Sequence, residues 1–336
     1  MVDDRYLDHT ISRTSPENPE RIRRLSSIVR ESYTDKCLTC RARTADSTDI
    51  EAVHSPFYLQ QLRNHIVRSD PYSYDPDTYL MEHSFYVAEL AAGGCLELTD
   101  RLMAGDVDYA YALIRPPGHH AEPGRGMGFC VFNNVSITAQ YLRRKYQLNR
   151  ILILDFDAHH GNGTQEVFYD TDEVLVISVH QRGIFPFSGE TTELGIGKGV
   201  GHTINIPVFA QFGDVEYTFL LGRILQSVVE QYLPQIILVS AGYDAHKDET
   251  ISGTLLTTEW YGLITKMLKH YAHEACGNRL LMVLEGGYNP VSLEASVLAT
   301  FDSLLLPRQD KIGIYYSERA NQLLKNHPMR NYWTLQ

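Results

Sequence analysis

The segment ILILDFDAHHGNGT, residues 151–164, constrains the fold of this chain more than any other. It begins with four consecutive apolar residues, which is typical of a strand buried on both faces of a sheet. Asp155, Asp157 and His159 follow at a spacing of two, so an extended chain presents all three side chains on one side. Two glycines then end the strand. Carboxylates and an imidazole at the carboxyl end of a buried strand predict a divalent-metal site in an α/β protein.

Each of these residues has a simpler interpretation when it is taken alone. An aspartate at a strand end more often caps a helix or stabilises a turn, and a single histidine is usually a hydrogen-bonded polar group. The metal-site interpretation therefore depends on whether other strand ends supply matching residues.

Apolar strand-like runs alternate with helical stretches along the chain, without an internal repeat or a low-complexity segment. The predicted strands are residues 109–115, 150–157, 174–180, 202–207, 235–241 and 279–285. The predicted helices include residues 19–30, 135–146, 214–232, 258–273 and 290–304. This order predicts an α/β fold with a mainly parallel sheet and helices on both faces. Because no composition break divides the chain, we expect a single domain over residues 1–336, with a core of about 1–305 and a tail (306–336) of terminal helix and surface coil.

Charge and cysteine content argue against several classes of protein. The chain has 30 basic and 41 acidic residues, and its formal net charge of −11 argues against nucleic-acid binding and suits a cationic partner. No apolar run approaches the ~20 residues of a membrane span, and the first residues do not resemble a signal peptide. The odd number of cysteines, 5, indicates a reduced, cytoplasmic setting rather than a disulfide scaffold. Cys37 and Cys40 resemble half of a zinc knuckle, but no second pair follows.

Two further strand ends carry residues with chemical potential. RPPGHHAEPGRGMGF (115–129) turns at two prolines and a glycine and presents His119 and His120 together. Adjacent histidines in a loop serve as metal ligands or as an acid–base pair. SAGYDAHKDE (240–249) places Asp244 directly after an apolar strand.

A fourth strand end, LEGGYN (284–289), places Tyr288 after two glycines that allow close approach of the backbone. Asp157, His159 and Asp244 together supply two oxygens and one nitrogen to a metal. Three protein ligands leave the open coordination position that is typical of a catalytic site. The remaining histidines receive no functional role, and His246 is expected at the rim of the site rather than as a ligand. The others singled out are His9, His54, His202 and His273.

Taken in order, RPPGHHAE, GFCVFNN, DFDAHHGNGT, SAGYDAH and LEGGYN resemble the motifs of the zinc-dependent histone deacetylase superfamily. That superfamily also holds bacterial histone deacetylase-like amidohydrolases and acetylpolyamine amidohydrolases. The resemblance runs from residue 15 to beyond residue 290, and LEGGY is similar to class II and bacterial members. It implies an arginase-like three-layer α/β/α domain around a mainly parallel sheet of about eight strands. It also implies an amidohydrolase that removes acetyl or other acyl groups from lysine side chains of peptides or proteins.

For catalysis, the resemblance implies that Asp157, His159 and Asp244 bind one Zn²⁺, with Fe²⁺ as the alternative metal. His120 resembles the general base that takes a proton from water and later protonates the leaving amine. Tyr288 resembles the donor of a hydrogen bond to the substrate oxygen as it becomes an oxyanion, a contact typically worth ~3 kcal/mol.

Other side chains are implied to assist these. His119 resembles an electrostatic partner paired with Asp155. Asn162 stands where class I members carry an aspartate beside the second histidine; class II members commonly have asparagine there, and the pairing is less basic. Arg21 resembles an internal arginine below the site. Ser15 replaces the usual histidine of the N-terminal motif, which affects the N-terminal surface more than the metal.

The implied substrate site is a narrow tunnel for an acylated lysine. Phe129 and Phe185 resemble its aromatic walls, and the backbone carbonyl of Gly128 resembles the acceptor for the substrate amide N–H. Polyamine-specific relatives can carry a glutamate seven residues after the third zinc ligand. Here that position is Ile251 if the alignment has no gap; Glu249 lies two residues earlier, and a small shift in the alignment would place it at the gate instead. An apolar gate favours acyl-lysine over an acetylated polyamine, which is the alternative substrate, and hydroxamates are the expected inhibitors.

The family also implies structural K⁺ sites. The residues that match the inner site are Asp155, Asp157, His159, Ser178 and Val179, and those that match the outer site are Phe168, Thr171 and Val174. Several of these contacts are made by backbone carbonyls.

Two other classes of function remain open. An arginase-type ureohydrolase needs further carboxylates around a second metal, whereas one complete ligand set is visible. A catalytically silent pseudoenzyme that binds acyl-lysine would lack a ligand, a catalytic histidine or the tyrosine, and all of these are present. A homo-oligomer is left open, and neither direct nucleic-acid binding nor membrane binding is expected.

Overall fold

The structure is a computed structural model that describes residues 1–10, 15–67, 72–73, 75–308 and 312–335. The α-helices are α1 (Glu20–Ser32), α2 (Ser47–Ile50), α3 (Pro56–Val67), α4 (Ser84–Ala104), α5 (Asn134–Tyr146), α6 (Asn162–Phe168), α7 (Asp214–Tyr232), α8 (Thr258–Cys276), α9 (Pro290–Leu305) and α10 (Glu318–Lys325). The strands are β1 (Tyr72–Ser73), β2 (Tyr79–Leu80), β3 (Tyr109–Ala112), β4 (Ile151–Asp155), β5 (Val174–Gln181), β6 (Thr203–Val208), β7 (Ile236–Ala241) and β8 (Leu280–Leu284).

The central sheet contains six of the described strands in the order β3-β8-β7-β4-β5-β6, and every neighbouring pair is parallel. All residues of β4, β6, β7 and β8 are buried. A strand without an exposed residue is covered on both faces, so helices flank the sheet as they do in α/β proteins. The predicted α/β class is confirmed, and each of the six predicted strands is present.

The expectation of about eight strands in this sheet is not met by the described residues. The two further strands, β1 and β2, have two residues each and pair with one another in an antiparallel ladder outside the central sheet. The count of eight came from family resemblance. The apolar runs of the sequence, which are what a sheet buried on both faces requires, number six and match the structure.

The helices that flank the sheet begin where side chains satisfy the first backbone N–H groups. Asn133 accepts a hydrogen bond from the backbone N–H of Ser136 at the start of α5. Asn289 accepts from the N–H groups of Val291 and Ser292 at the start of α9. These caps replace hydrogen bonds that the first turn of a helix cannot make internally. They also set where the preceding loops, which carry the site motifs, must end.

The C-terminal tail differs from the predicted surface coil. Its terminal helix is present as α10, but Met329 and Trp333 beyond it are buried in the main hydrophobic core. The indole Nε1 of Trp333 donates a hydrogen bond to the carbonyl of Gly201 at 2.7 Å. Burial of two large apolar side chains stabilises this attachment by several kcal/mol, on the order of 1.5–3 each. Residues 309–311 and 336 of the predicted tail lie outside the described residues.

None of the described helices is both long enough and apolar enough to cross a membrane.

Candidate active site

The four motif-bearing loops follow four strands that are neighbours in the sheet, β3, β8, β7 and β4. In the register of the sheet, Asp155 at the end of β4 lies opposite Ser240 of β7, and Ala241 of β7 lies opposite Leu284 of β8. The strands therefore end at nearly the same level. Because all are parallel, their carboxyl ends share one edge, which is where α/β proteins place their sites.

Asp157, His159 and Asp244 form a compact group whose ligand atoms all lie within 4.8 Å of one another. The Nδ1 atom of His159 is 2.9 Å from Oδ2 of Asp244 and 3.2 Å from Oδ1 of Asp157. Within the described ranges it is the only group of three or more acidic, histidine or cysteine side chains close enough to hold a metal ion. Cys37 and Cys40 belong to no such group there.

Backbone N–H groups hold the two carboxylates in place. Gly286 donates to Oδ2 of Asp157 at 2.9 Å, and Ala158 donates to Oδ1 of Asp244 at 2.8 Å. A Cβ atom on Gly286 would lie 2.4 Å from Oδ2 of Asp244 and 2.6 Å from Oδ2 of Asp157, closer than real contacts allow. The first glycine of LEGGYN is therefore required by the approach of the carboxylates.

The charges of this group fit a cation. Burial and the negative charge of Asp157 raise the pKa of Asp244 to about 6. Burial opposes a positive charge on His159, but the carboxylates of Asp244 and Asp157 raise its pKa to about 10. The three ligand atoms thus favour a positive charge among them. Two carboxylate oxygens and an imidazole nitrogen are also the donor set of catalytic zinc sites with an open position.

His119 is paired with a carboxylate. Its Nδ1 atom is 2.9 Å from Oδ2 of Asp155, and its Nε2 atom is 3.8 Å from Oδ2 of Asp157. Burial opposes a charge on this imidazole, but the two carboxylates outweigh burial and raise the pKa of His119 well above its ordinary value. His119 is therefore the more basic of the two adjacent histidines.

His120 is paired with an amide. Its ring centroid is 4.0 Å from that of His119, and its Nδ1 atom is 2.8 Å from Oδ1 of Asn162. Burial and the neighbouring rings of His119 and His159 lower the pKa of His120 well below its ordinary value. The imidazole is neutral at neutral pH and can accept a proton.

Tyr288 lies above the internal arginine. The guanidinium carbon of Arg21 is 4.7 Å from the centre of the Tyr288 ring, and Arg21 donates to the carbonyls of Gly287 at 2.7 Å and Glu285 at 2.5 Å. Arg21 is buried, as expected for an arginine below the site. Burial raises the pKa of Tyr288 well above its ordinary value, so its hydroxyl stays protonated and can donate a hydrogen bond.

The two predicted tunnel walls lie beside different catalytic candidates. The Phe185 ring centroid is 5.0 Å from that of His120, whereas the Phe129 ring centroid is 5.3 Å from that of Tyr288. Gly128 has a φ of +55°, and a Cβ there would lie 2.6 Å from Cδ2 of His120 and 2.8 Å from Cε1 of Phe185. A side chain at Gly128 would therefore displace both rings.

A loop before α4 holds the Phe129 wall. Asp75 accepts a hydrogen bond from the N–H of Gly128 at 3.0 Å, and Thr78 accepts one from the N–H of Phe129 at 2.9 Å. Phe129 itself has a φ of +69°, which is uncommon for a residue other than glycine. The two side-chain contacts help to hold this backbone conformation.

Comparison with known proteins agrees with this site. A family model described as histone deacetylase domain matches residues 15–304. The chain belongs to the histone deacetylase domain family. It is 38% identical over 298 residues to histone deacetylase 14, chloroplastic, of Arabidopsis thaliana, covering 86% of this chain and 70% of that protein. It is also 38% identical over 287 residues to a probable deacetylase of Archaeoglobus fulgidus, covering 84% of this chain and 79% of that protein.

The fold comparison gives the same family. The crystal structure of the HDA15 HD domain matches with a TM-score of 0.90 and 30% sequence identity, over 99% of this chain and 94% of that chain. The family consists of hydrolytic, generally metal-dependent deacetylases, so the predicted family, fold and enzyme class are confirmed.

Three glutamates lie against the candidate residues of this deacetylase; Glu122 and Glu285 have no predicted role, and Glu249 is predicted only as an alternative residue at the gate. Glu249 accepts hydrogen bonds from the N–H groups of Tyr288 at 2.7 Å and Asn289 at 2.8 Å. Glu285 accepts from the N–H groups of Gly118 and His119, and Glu122 contacts Asn162. Each glutamate lies within a motif, DAHKDE, LEGGYN or HHAE, and that position was the one signal that could have singled it out.

The hydrogen bonds of Glu249 also concern the predicted gate of the substrate tunnel, for which Ile251 and Glu249 are the two residues to compare. The Oε1 atom of Glu249 is bonded to the backbone of the Tyr288 loop, and the side chain is 8% exposed. Ile251 is half-buried in the loop between β7 and α8. His246, expected at the rim, is buried instead: its Nε2 atom is 3.3 Å from Oγ1 of Thr258, and it is not part of the candidate metal-binding group.

The four histidines without a predicted role have other surroundings. His9 and His54 are buried, and their Nδ1 atoms lie 2.9 Å from Oγ of Ser84 and 3.0 Å from the carbonyl of Glu122. His202 is half-buried and His273 is exposed. None of them is part of the candidate metal-binding group found among the described residues.

The residues of the predicted K⁺ sites lie on β4, on β5 and in the connection between them. Asp155 of β4 lies opposite Ser178 of β5 in the register of the sheet, and Val179 follows Ser178. Phe168 is the last residue of α6, and its carbonyl accepts a hydrogen bond from the N–H of Thr171 at 3.4 Å. Val174 begins β5.

Proposed function

We propose that this deacetylase-family chain is a zinc-dependent amidohydrolase that removes acetyl or other acyl groups from lysine side chains of peptides or proteins. One observation carries the proposal. The group Asp157, His159 and Asp244 lies at the same sheet edge as His120, whose pKa burial lowers, and Tyr288, whose pKa burial raises. Amide hydrolysis needs this combination of a metal site, a base and an oxyanion donor.

Asp157, His159 and Asp244 would hold the cation, which we propose to be Zn²⁺, with Fe²⁺ as the alternative. When bound there, the cation acidifies water and polarises a carbonyl. The backbone N–H groups of Ala158 and Gly286 hold the carboxylates of Asp244 and Asp157 in position to bind the cation.

His120 acts as the general base and then as the general acid. Its lowered pKa leaves it neutral before the reaction, so it accepts the proton of the attacking water. Amine departure from a tetrahedral centre requires protonation of the nitrogen, and the same imidazole returns the proton to it. His119, whose pKa is raised by Asp155 and Asp157, serves as the electrostatic partner.

Tyr288 and Gly128 orient the scissile amide. The Tyr288 hydroxyl donates a hydrogen bond to the carbonyl oxygen as negative charge develops on it. The carbonyl of Gly128 accepts a hydrogen bond from the amide N–H. Arg21 below the Tyr288 ring favours the developing negative charge and limits motion of the tyrosine.

The substrate is a neutral acylated side chain. Phe129 and Phe185 flank it, and desolvation between aromatic rings costs a neutral amide far less than an ammonium group. The deacylated amine then regains solvation on leaving. An apolar Ile251 at the gate, together with the engagement of Glu249 by the backbone, favours acyl-lysine over acetylpolyamines, which are the second candidate.

The remaining features fit this assignment. The net charge of −11 suits lysine-rich partners. K⁺ bound by backbone carbonyls near β5 would be structural. Free cysteines suit a reducing compartment, and we propose the cytoplasm, with residues 1–336 as one catalytic domain.

The test is hydrolysis of a substrate panel by purified protein with added Zn²⁺. The panel holds an acetyl-lysine peptide, longer acyl-lysine peptides, and acetylated putrescine and spermidine, each with and without a hydroxamate. We expect hydroxamate-sensitive turnover that is faster on acetyl-lysine peptides than on polyamines. Equal or faster polyamine turnover would overturn the choice of substrate, and no turnover of any member by metal-loaded protein would overturn the proposed reaction.

A further inference from the structure

The amide of Asn162 has acceptors at its nitrogen end. Its Nδ2 atom is 2.8 Å from Oε1 of Glu122, 3.4 Å from Sδ of Met127 and 3.5 Å from the carbonyl oxygen of His120. A carboxylate, a thioether and a carbonyl all accept hydrogen bonds and none donates. The end of the amide that faces them must therefore be the N–H₂ group.

The opposite orientation of Asn162 is strongly disfavoured by Glu122. Rotating the amide by 180° would place its oxygen 2.8 Å from a carboxylate oxygen, where two acceptors repel. It would also forfeit a hydrogen bond to a charged group, which is worth about 1.5–3 kcal/mol. Such a difference corresponds to a preference of roughly 10- to 100-fold for the observed orientation.

Glu122 is itself held in place. Arg125 donates to its Oε2 atom at 2.6 Å and to its Oε1 atom at 3.1 Å. The backbones of the two residues exchange hydrogen bonds at 3.0 and 3.4 Å. The side chain is 19% exposed, so solvent competes only in part for its oxygens.

The orientation of the Asn162 amide determines which nitrogen of His120 carries the proton. The Oδ1 atom of Asn162 lies 2.8 Å from Nδ1 of His120 and can only accept, so Nδ1 carries the proton. A neutral imidazole has a single N–H, and its lone pair is then on Nε2. With the amide reversed, its N–H₂ group would donate to Nδ1 and leave the proton on Nε2, where His120 is no longer a base.

We propose that Glu122 is a positioning residue that orients the Asn162 amide and thereby keeps the neutral imidazole of His120 in the tautomer with its proton on Nδ1. This inference rests on the proposed function for its effect on turnover, but the tautomer itself is independent of the substrate. Glu122 touches neither the substrate nor the reacting atoms and acts through Asn162.

The test is a graded series at position 122. Glu122→Gln offers either an oxygen or an amide nitrogen, so it weakens the preference to what Met127 and the His120 carbonyl supply, and we expect kcat to fall by at most about two-fold, the limit for two equally populated orientations. Glu122→Lys can only donate and favours the reversed amide. We expect it to lower kcat by roughly 10- to 100-fold with little change in KM, metal content or melting temperature.

The decisive variant changes Asn162. In Asn162→Asp both side-chain oxygens accept, so His120 keeps its proton on Nδ1 whatever occupies position 122. Glu122→Lys should then raise kcat relative to Asn162→Asp alone, because it replaces a repelling carboxylate by a cation. The sign of the effect inverts between the two backgrounds. A loss of kcat in both would overturn the proposal, since a purely structural role predicts no inversion.

Glu166→Lys supplies the matched control. Glu166 and Glu122 both line a surface cavity of about 700 Å³. Glu166→Lys makes the same change of charge as Glu122→Lys, but Glu166 has no hydrogen bond to Asn162 among the described contacts. We expect kcat within about two-fold of the parent enzyme. A loss equal to that of Glu122→Lys would attribute the effect to surface charge and overturn the proposal.

A spectroscopic readout separates this inference from the proposed reaction. In ¹⁵N spectra of the metal-loaded protein, with His120→Gln used to assign the signal, His120 should show a protonated Nδ1 that moves toward a protonated Nε2 in Glu122→Lys. That outcome supports the inference even if the substrate panel shows no turnover. An unchanged tautomer in Glu122→Lys would overturn it even if the enzyme is an active deacetylase.

Discussion

Two adjacent histidines at the same sheet edge have opposite acid–base properties because their partners differ. His119 and His120 have ring centroids 4.0 Å apart and are both buried. The carboxylate of Asp155 raises the pKa of His119, whereas burial lowers that of His120, whose partner Asn162 carries no charge. The partner of a buried imidazole, rather than burial alone, therefore decides which ring is charged and which can act as a base.

The largest loss of turnover should come from disrupting the proposed metal-binding group, which lies beside both rings. Asp244→Ala deletes one of the three proposed ligands, and we expect metal content to fall far below one per chain and turnover to be lost. Elemental analysis after dialysis measures the metal directly. Full occupancy of this variant would contradict the ligand assignment, and a folded circular dichroism spectrum is the control that the loss is local.

Replacing each histidine in turn separates the two roles. General acid–base catalysis is worth roughly 10²–10⁴ in rate, so His120→Gln should lower kcat by that factor. His119→Gln should cost less, since it removes an electrostatic partner and leaves the base. Steady-state kinetics with metal content as the control decides this. A larger loss for His119→Gln would reverse the assignment of base and partner.

Much of the candidate site could be predicted from the sequence because its residues directly follow strands. Asp157, Asp244 and Tyr288 stand at the ends of apolar runs, and parallel strands bring such ends together. The contacts of Glu122 with Asn162 and of Glu249 with the Tyr288 backbone could not be predicted in this way. Their partners lie 40 and 39 residues away, and a glutamate in a polar loop has the same sequence pattern whether it is solvated or bonded to a backbone.

The C-terminal tail shows a second reason why part of the structure could not be predicted from the sequence. Its residues beyond α10 have mixed polarity and no helical or strand period, which is typical of surface coil. Met329 and Trp333 nevertheless pack into the core. Single apolar side chains in irregular segments find partners only in three dimensions, so periodicity does not detect them.

Glu249 offers a change that leaves both histidine pairs untouched. Its Oε1 atom accepts from the N–H groups of Tyr288 and Asn289, so Glu249→Ala should loosen the tyrosine and lower kcat by about ten-fold, less than the 10²–10³ expected for Tyr288→Phe. Glu249→Gln retains an oxygen and should restore most of the rate. In the Tyr288→Phe background, Glu249→Ala should add little. Additive losses in the double variant would show that Glu249 acts elsewhere.

A smaller change in rate is expected when His120 is given a carboxylate partner like that of His119. This change tests directly whether the partner sets the basicity of each imidazole. Asn162→Asp places a carboxylate beside Nδ1, which raises the pKa of His120. Because the base is the neutral form, activity is lost as pH falls through that pKa, so the acidic limb of the kcat/KM profile should move to higher pH by about one unit. At a pH above this limb kcat should fall only a few-fold, a cost that comes from the nearby Glu122 carboxylate. A profile that keeps its acidic limb would mean that the partner of His120 does not set its basicity, and the contrast between the two histidines would then have to be attributed to burial.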